Sequence, residues 1–472
     1  MATQILYAVT GIVLARMLSQ EDFGLVGALL IFQAFASLIV DSGFSYALIQ
    51  KKNPTQLDYS SVLWFNIGVA SLLYLILFFG APLIAACFQN DQRLIPLSRL
   101  MFLVLILNAS ASSQLFRLQK TMEVRMVAVS NSVGLAIGGA TGIVLAITGY
   151  GAWAIVWQAL AHSGVKSIVL WTGCSWRPSL SFSTDSIRSL FSVGSRMMFT
   201  SFLNTIFQHI YSFFIGIRVG MAPLGYYTQS DKWSKMAVMS LAQVFTSSFL
   251  PPLSAVQNDR ERFSQMVGKM NRFTAYLLFP ALIGLMVIAT PLFHVLFGQK
   301  WDPSIILFQL LLVRGIFFVL NSLYNNYLLA LGQAKTIVWL EVLRDVAAIS
   351  ALLAALPFIG MSTDEDPVYG LTLLLWGQVG ATVLTWIASL YYTSKASGRS
   401  MLAFIGDLAP YFSLTGTIVP LMVGAGYLFS SDVVTLAVEI VVAGGLYLGV
   451  NYLLGSKIQR DVLAFLRGGK VL

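Results

Sequence analysis

The stretch LARMLSQEDFGLVG, residues 14–27, joins two apolar runs through a short polar turn. An arginine, Arg16, closes the first run, and a glycine, Gly24, lies at the start of the second. The whole chain is 57% hydrophobic and 10% charged, whereas a soluble globular chain carries about 25% charged residues. Strand-type alternation is absent from the sequence, so helices must satisfy the backbone polar groups in lipid. The stretch therefore predicts two membrane helices joined by a turn.

The same element occurs a second time. The stretch IGIRVGMAPLGYYT, residues 215–228, places Arg218 and Gly225 where the first element has Arg16 and Gly24. The two stretches lie about 200 residues apart. The recurrence indicates that part of the chain is duplicated.

A further pair of similar stretches supports the duplication. YGAWAIVWQ, residues 150–158, resembles YGLTLLLWGQ, residues 369–378, and each follows a helix with a Gln-Lys-Thr-like start, at 119–126 and 333–345. Both pairs of stretches have a similar offset and the same order, which predicts that helices 1–6 and 7–12 are copies. Six is an even number, so the copies insert in the same orientation, as in transporters whose two lobes are related by an axis along the membrane normal.

Apolar runs long enough to cross a bilayer need roughly 20 residues. The predicted segments are 3–18, 24–49, 60–87, 97–116, 126–148, 150–172, 187–217, 234–256, 272–297, 304–331, 334–357, 367–393, 409–429 and 433–454. The sequence therefore predicts an all-α polytopic membrane protein of about 14 transmembrane helices, with two six-helix lobes in parallel repeat and two further C-terminal helices.

The predicted organisation has five parts. An N-lobe covers 1–172, a C-lobe covers 190–395, and an amphipathic cytoplasmic linker at 173–189 joins them. The two added helices occupy 396–455, and a cytoplasmic tail occupies 456–472. Lys and Arg favour one set of short loops by about three to one, which predicts that both termini are cytoplasmic.

Several functional classes are disfavoured by the motifs. The sequence has no G-x-x-x-x-G-K-[ST] motif for ATP and no H-E-x-x-H metal motif, and His162, His209 and His294 lie on separate segments. The net charge of +9 is scattered over loops, without a patch for nucleic acid. Asp-Glu-Asp at 364–366 resembles the metal-binding motif of glycosyltransferases, but the charge rule places that loop outside, away from cytoplasmic sugar nucleotides.

Charged residues inside predicted spans are candidates for function, because each costs about 2.5 kcal/mol or more on insertion scales. They are Arg16, Asp41, Arg196, Arg314, Glu341, Arg344, Asp345 and Glu439. Glu341, Arg344 and Asp345 have spacings that place them on one helix face, where they either serve transport or neutralise one another. Glu439 lies in the added helices and is interpreted as structural.

Arg196 and Arg314 have no acid one helical turn away, so each needs a partner on another helix or a ligand. A pyrophosphate suits an arginine fork in a low-dielectric site. Asp41 lies in VDSGFSYALIQ, where Ser and Gly loosen the helix. That break predicts either a cation site or hinge, or a kink at which Asp41 caps free amides.

Six stretches together resemble one known family: LARMLSQEDFGLVG, VDSGFSYALIQKK, WRPSL, GYYTQSDKW, LPPLSAVQND and VLFGQKWDPS. They are similar to the polysaccharide-transporter branch of the multidrug/oligosaccharidyl-lipid/polysaccharide superfamily, the bacterial O-antigen and exopolysaccharide flippases. The resemblance implies two six-helix lobes around a cavity, alternating access, and an undecaprenyl-pyrophosphate-linked oligosaccharide as substrate. It also implies no cofactor and an ion gradient, of Na⁺ or H⁺, as the power source.

The run IVLARMLS also resembles the first helix of the related lipid II flippases. In that family the arginine matching Arg16 faces the cavity and is needed, and an acid on the second helix matches Asp41. Two arginines that precede this acid in the lipid II flippases are replaced here by Ala36 and Ser37. The departure favours a lipid-linked glycan other than the peptidoglycan precursor.

The sequence thus predicts an inner-membrane flippase, a monomer and not an enzyme, with polysaccharide polymerase and glycosyltransferases as partners. Arg16, Arg196, Arg314 and Arg344 are the predicted substrate-binding residues. Asp41, Glu341 and Asp345 are the predicted residues for gating or cation coupling. Two alternatives stay open: a cation-coupled multidrug exporter of the same superfamily, and a membrane polysaccharide polymerase or ligase.

Overall fold

The computed structural model of the chain describes residues 2–362 and 368–460, and within those ranges the regular structure is helical, without a strand. The Asp-Glu-Asp run at 364–366 and most of the predicted tail, 461–472, lie outside the described residues. The helices are α1 (Ala2–Met17), α2 (Gln20–Asp41), α3 (Phe44–Gln50), α4 (Gln56–Cys87), α5 (Leu94–Met101), α6 (Leu103–Ser110), α7 (Ser112–Lys120), α8 (Val124–Ile147), α9 (Ala152–Gly173), α10 (Thr184–Arg218), α11 (Met221–Ala255), α12 (Arg260–Val287), α13 (Ala289–Leu296), α14 (Asp302–Ala330), α15 (Ala334–Ala355), α16 (Tyr369–Ser397), α17 (Met401–Gly426) and α18 (Asp432–Leu453).

Helices cover each of the 14 predicted segments, which confirms the helical class. Among the described residues, nine helices are long and apolar enough to cross a membrane, or ten when one bent pair is taken as a single span. The number of 14 spans and the arrangement in two six-helix lobes stay predictions.

Three predicted segments are broken helices. The segment at 24–49 is α2 followed by α3, and the segment at 272–297 is α12 followed by α13. The segment at 97–116 consists of α5, α6 and α7, with a bend of 45° before Ser112. Each break releases backbone groups, which need hydrogen-bond partners inside the helix bundle.

The described chain packs as two compact units, one up to Thr228 and one from Gln229 onward. The division falls inside α11. The predicted lobe and linker boundaries stay a prediction, although α10 already begins at Thr184, within the predicted linker.

Local sequence signals explain how α2 begins in the first unit. Arg16 lies in the last turn of α1, and Ser19 then forms a capping box with Asp22. The Asp22 amide donates to Ser19 Oγ at 3.2 Å, and the Ser19 amide donates to Asp22 Oδ2 at 2.9 Å. The box satisfies backbone donors that a helix start otherwise leaves unpaired, so the polar turn ends one helix and starts the next.

The two copies of the repeated element pack against each other in the first unit. A Cβ added at Gly24 would lie 1.8 Å from the Met221 carbonyl oxygen, and a Cβ added at Gly225 would lie 1.9 Å from the Gln20 carbonyl oxygen. Only residues without a Cβ permit this approach, so the starts of α2 and α11 cross backbone to backbone. The equivalence of the two glycines in sequence is therefore matched by a mutual contact.

The segment between α9 and α10 is held along α4. The Ser179 amide donates to Ser60 Oγ at 3.0 Å, the Ser183 amide donates to Ser61 Oγ at 2.9 Å, and the Trp64 indole donates to the Ser179 carbonyl at 2.9 Å. These bonds fix the connection that the sequence predicts to lie on the inner membrane surface.

Candidate functional site

Asp41 lies where α2 stops. The next two residues, Ser42 and Gly43, have φ of +48° and +76°, which end the helix before α3 begins at Phe44. The Ser45 amide donates to Asp41 Oδ1 at 3.3 Å, and Ser45 Oγ donates to Oδ2 at 2.8 Å. Asp41 therefore accepts a hydrogen bond from a backbone amide in the first turn of α3, as expected from the alternative in which it caps free amides at a kink. Its role in gating or coupling stays a prediction.

A second backbone approach holds this break in place. A Cβ added at Gly43 would lie 2.1 Å from the Gly194 carbonyl oxygen, and a Cβ added at Gly194 would lie 2.8 Å from the Gly43 carbonyl oxygen. The start of α3 therefore crosses α10 without intervening side chains. The strained αL conformation of the break is fixed by this packing, so Asp41 has a defined position.

A cavity of about 600 Å³ opens beside Asp41 within the first unit. It lies among α2, α3, α4, α6, α7 and α9, and its lining residues belong to these mainly apolar helices. The polar groups that line it include Asp41, Ser45, Asn66, Ser112, Lys166 and Ser167. Its volume falls in the range typical of small-molecule sites.

The cavity combines charge with unused hydrogen-bonding capacity. Asn66 is 1% exposed and donates through Nδ2 to Ser112 Oγ at 3.1 Å, while its Oδ1 accepts no hydrogen bond among the described residues. Within the described chain, Asp41 and Lys166 form no ion pair with each other or with another residue at 4.0 Å or less. A polar ligand can therefore engage an acid, an amine and an amide oxygen in one cavity.

Lys166 is a residue that the sequence analysis missed. It lies on α9 in AHSGVKSIVL, inside a predicted span, and lysine in a span is rare and expected to face the bundle interior. Its position inside a predicted span would have been enough to include Lys166 among the charged residues proposed to have a function. What the sequence does not show is that Lys166 and Asp41 line the same cavity, since they lie on helices far apart in the chain.

Arg314 in the second unit has partners on two other helices. Its Nη1 donates to Gln378 Oε1 on α16 at 2.8 Å, and its Nη2 lies 3.9 Å from Asp231 Oδ1 on α11. Asp231 also pairs with Lys235 Nζ at 2.7 Å. The guanidinium is half-buried and partly neutralised, which leaves it able to exchange an amide partner for an anion.

Glu341, Arg344 and Asp345 meet on α15 as their spacing predicts. Arg344 Nη1 lies 2.5 Å from Glu341 Oε2, and Arg344 Nη2 lies 2.9 Å from Asp345 Oδ1. Asn325 on α14 also donates to Glu341 Oε1 at 3.3 Å. The group neutralises the charge of Arg344, so a ligand must displace a carboxylate before it can bind this arginine.

The remaining predicted residues lie elsewhere in the first unit. Arg16 and Arg196 are both exposed, at the end of α1 and on α10, and neither lines the cavity beside Asp41. The predicted substrate-binding and coupling residues are therefore not gathered in one cavity of the first unit. Within the described ranges, no group of three or more His, Cys, Asp or Glu residues is arranged to hold a metal ion.

The sequence of this chain is similar to proteins of polysaccharide biosynthesis. A family described as polysaccharide biosynthesis protein matches residues 13–306. The succinoglycan biosynthesis transport protein ExoT of Rhizobium meliloti is 27% identical over 345 residues, covering 73% of this chain and 69% of ExoT. The lipopolysaccharide biosynthesis protein WzxC of Escherichia coli is 24% identical over 415 residues, covering 87% of this chain and 82% of WzxC.

Solved structures show the same fold. The lipid II flippase MurJ, in an inward closed conformation, matches with a TM-score of 0.71 and 14% identity, covering 98% of each chain. An inward-facing multidrug resistance transporter of the MATE family, from the MOP superfamily, matches with a TM-score of 0.60 and 13% identity, covering 84% of this chain and 96% of the transporter. At these identities the likeness concerns the fold.

Proposed function

Because this chain belongs to the polysaccharide biosynthesis protein family, whose pattern matches residues 13–306, we propose that it is a lipid-linked oligosaccharide flippase. It moves an undecaprenyl-pyrophosphate-linked oligosaccharide across the bacterial inner membrane by alternating access. The product serves the synthesis of a surface polysaccharide: O-antigen, exopolysaccharide or capsule. The protein is a transporter in this scheme and catalyses no covalent step.

The observation that carries the proposal is the polar cavity inside the apolar first unit. A glycan headgroup presents many hydroxyl groups, and each must exchange its hydrogen bonds with water for hydrogen bonds with protein as it crosses. Within the described residues, Asn66 Oδ1 accepts no hydrogen bond, and Asp41 and Lys166 form no ion pair. Together with the hydroxyl groups of the lining, they supply acceptors and donors for that exchange. An apolar drug requires fewer such groups, so the cavity favours a glycan over a multidrug substrate.

The arginines supply the charge that the pyrophosphate needs. In this proposal Arg16, Arg196, Arg314 and Arg344 bind the pyrophosphate and acidic sugars at successive stages of transport. Arg314 exchanges its Gln378 partner for a phosphate oxygen, a stronger charge-assisted bond.

In this proposal, acidic side chains couple transport to an ion gradient. Asp41, together with Glu341 and Asp345 around Arg344, takes up Na⁺ or H⁺ and changes the local balance of charge. Neutralising Glu341 and Asp345 frees Arg344 for substrate, which links ion uptake to substrate binding. The transporter acts as a monomer with both termini in the cytoplasm, beside the polymerase and glycosyltransferases of the pathway.

Transport of a fluorescent lipid-linked oligosaccharide in proteoliposomes tests the proposal. We expect Arg16→Ala and Arg314→Ala each to lower the initial transport rate by about ten- to hundredfold, the value of a hydrogen bond to a charged group. Arg262→Ala is the matched control, because Arg262 is exposed and pairs with Asp259 within its own helix start. Transport by the two variants at the wild-type rate would show that these arginines do not bind substrate.

A deletion strain separates the transporter classes. Loss of surface polysaccharide with unchanged drug susceptibility is the expected phenotype. Loss of drug resistance with intact surface polysaccharide would contradict the flippase and identify an exporter.

A further inference from the structure

A cavity of about 680 Å³ in the second unit has no role in the proposal above. It lies where the α11–α12 connection, the α14–α15 turn and the end of α16 meet. Its polar lining includes Gln257, Asn258, Arg260, Gln333, Thr336 and Lys395. We call it the basic pocket, because two cationic side chains from different helices line it and, among the residues that the structure describes, no acidic one does.

The positive charge of the basic pocket is not balanced locally. Within residues 2–362 and 368–460, neither Arg260 nor Lys395 lies within 4.0 Å of a carboxylate oxygen. The nearby Arg262 differs, since its Nε lies 3.3 Å from Asp259 Oδ2. Two uncompensated cations beside one cavity favour an anionic ligand.

The backbone fixes one of these cations. Gly398 has φ of +71°, and a Cβ added there would lie 2.7 Å from Arg260 Nε. Glycine therefore both ends α16 in the left-handed conformation and leaves the space that the guanidinium occupies. Lys395 lies in the last turn of α16, which places the second cation beside the first.

A helix start adds to the positive potential. The α14–α15 turn brings the start of α15 to the pocket, and Gln333 and Thr336 both line it. Gln333 occupies the N-cap position of α15 without forming a side-chain cap. Uncapped amides and the positive end of the helix dipole are suited to phosphate oxygens.

Part of the remaining lining is apolar and lies at the ends of candidate membrane spans. Phe263, Leu328 and Leu331 contribute to it, and the candidate spans that end here are Gln299–Ala330 and Tyr369–Ser397. Arg260, Arg262, Lys335, Lys395 and Arg399 flank or lie in these connections, and this excess of positive charge predicts that this end of the second unit faces the cytoplasm. A pocket that combines two cationic side chains with apolar ones at that level matches a phosphate group attached to a lipid.

We propose that the basic pocket binds a phosphate group at the cytoplasmic membrane surface through Arg260 and Lys395. The phosphate comes either from the headgroup of an anionic phospholipid or from a soluble phosphate compound. The basic pocket shares no lining residue with the cavity beside Asp41, and its proposed ligand does not require that the protein transports a glycan.

Native mass spectrometry of the purified full-length protein tests the site, with phosphatidylglycerol as the anionic lipid and phosphatidylcholine as the neutral lipid. The double variant Arg260→Gln/Lys395→Gln keeps polar side chains of similar reach and removes both charges. We expect its affinity for phosphatidylglycerol to fall roughly twenty-five-fold, about five-fold for each positive charge removed at a membrane surface. The control Arg262→Gln removes a charge from the same first turn of α12, at a residue that does not line the pocket, and should bind as the wild type does. Melting temperatures in detergent check that each variant is folded. If the double variant does not fold, the single variant Lys395→Gln replaces it in the binding measurement.

A parallel titration with inorganic phosphate, followed by thermal shift, distinguishes the two sources. Loss of phosphatidylglycerol binding in the double variant, without a response to inorganic phosphate, assigns the pocket to a lipid headgroup. A stabilisation by inorganic phosphate that the double variant loses, with unchanged lipid binding, assigns it to a soluble phosphate compound. If neither ligand distinguishes the double variant from the wild type, the basic pocket is not a phosphate site.

Discussion

At the residue scale, the arrangement of Asp41 separates a structural task from an electrostatic one. Its two oxygens accept hydrogen bonds from Ser45, so they fix the start of α3. Its negative charge, by contrast, has no ion-pair partner in the described chain and shares a cavity with Lys166. A substitution can therefore remove the charge of Asp41 and keep its hydrogen bond from the Ser45 amide.

Asp41→Asn tests the charge alone. The asparagine Oδ1 can still accept the Ser45 amide, so we expect the melting temperature in detergent to change little. Transport should fall roughly tenfold or more if the charge binds a cation or substrate, because hydrogen bonds to charged groups are the stronger ones. Asp185→Asn, an exposed acid in the first turn of α10, is the control with the same change of charge. Wild-type transport by Asp41→Asn would leave the residue with its capping role only.

Gly24 provides a second prediction at this scale. A methyl group at Gly24 would overlap the Met221 carbonyl oxygen, so Gly24→Ala must separate α2 from α11 or strain both. We expect a loss of stability of about 1–3 kcal/mol, as for overpacked cores, measured as a lower melting temperature. Gly80→Ala is the matched control, because a Cβ there has no neighbour within 4 Å and alanine is favoured over glycine in a helix interior. Equal melting temperatures for the two variants would contradict the close crossing.

At the element scale, one buried carboxylate ties three segments of the second unit together. Asp407 on α17 is 5% exposed and accepts hydrogen bonds from Arg272 on α12 and from Arg399 in the α16–α17 connection, both at 2.7 Å. The two arginines would repel each other without it. The acid therefore fixes how the added helices join the preceding ones.

Asp407→Asn should lower the melting temperature strongly. Removing one partner of a buried ion pair costs about 3 kcal/mol or more, because the opposite charge stays buried without compensation. Arg399→Ala should cost more than Arg272→Ala, since the Arg399 side chain is 19% exposed and that of Arg272 is 42% exposed. The exposed pair of Arg262 and Asp259 gives the comparison, and Arg262→Ala should change stability by less than about 1 kcal/mol. A larger loss of stability for Arg262→Ala than for Asp407→Asn or Arg399→Ala would show that Asp407 does not stabilise the contact between these segments.

The elements also show what the sequence can and cannot specify. Long apolar runs predict the helices because burial in lipid leaves the backbone no other way to satisfy its polar groups. The break after Asp41 is predictable because Ser and Gly tolerate the left-handed conformation. The bend before Ser112 carries no Gly or Pro signal in the sequence around Ala111. The cavity shared by Asp41 and Lys166 depends on tertiary contacts that spacing does not encode.

At the scale of the whole molecule, the repeat seen in sequence has a physical counterpart. The start of α2 and the start of α11 correspond in sequence, and in the first unit they contact each other through Gly24 and Gly225. Copies inserted in the same orientation present their equivalent elements on the same side of the membrane. The contact between the two elements is consistent with that orientation.

Membrane topology is the prediction at this scale. In a variant without its two native cysteines, Gln92→Cys should react with a membrane-impermeant maleimide added to intact spheroplasts. Lys52→Cys should react only after the membrane is permeabilised, because the excess of Lys and Arg assigns its loop to the cytoplasm. Both residues are exposed, so their reactivity reports sidedness rather than burial. The opposite pattern of labelling would invert the orientation.

The crossing of Gly24 and Gly225 has a kinetic consequence. Interlocked side chains must change rotamer before two helices can part, and each change adds to the activation barrier. Here backbone meets backbone, since the atoms nearest to an added Cβ at either glycine are backbone atoms of the other element. The backbone atoms at such a contact are close together, but no side chains interlock across it. The van der Waals attraction between them is short-ranged and is lost after a small displacement. The two elements can therefore separate and rejoin rapidly, with a low activation enthalpy, at a point that is closely packed when joined.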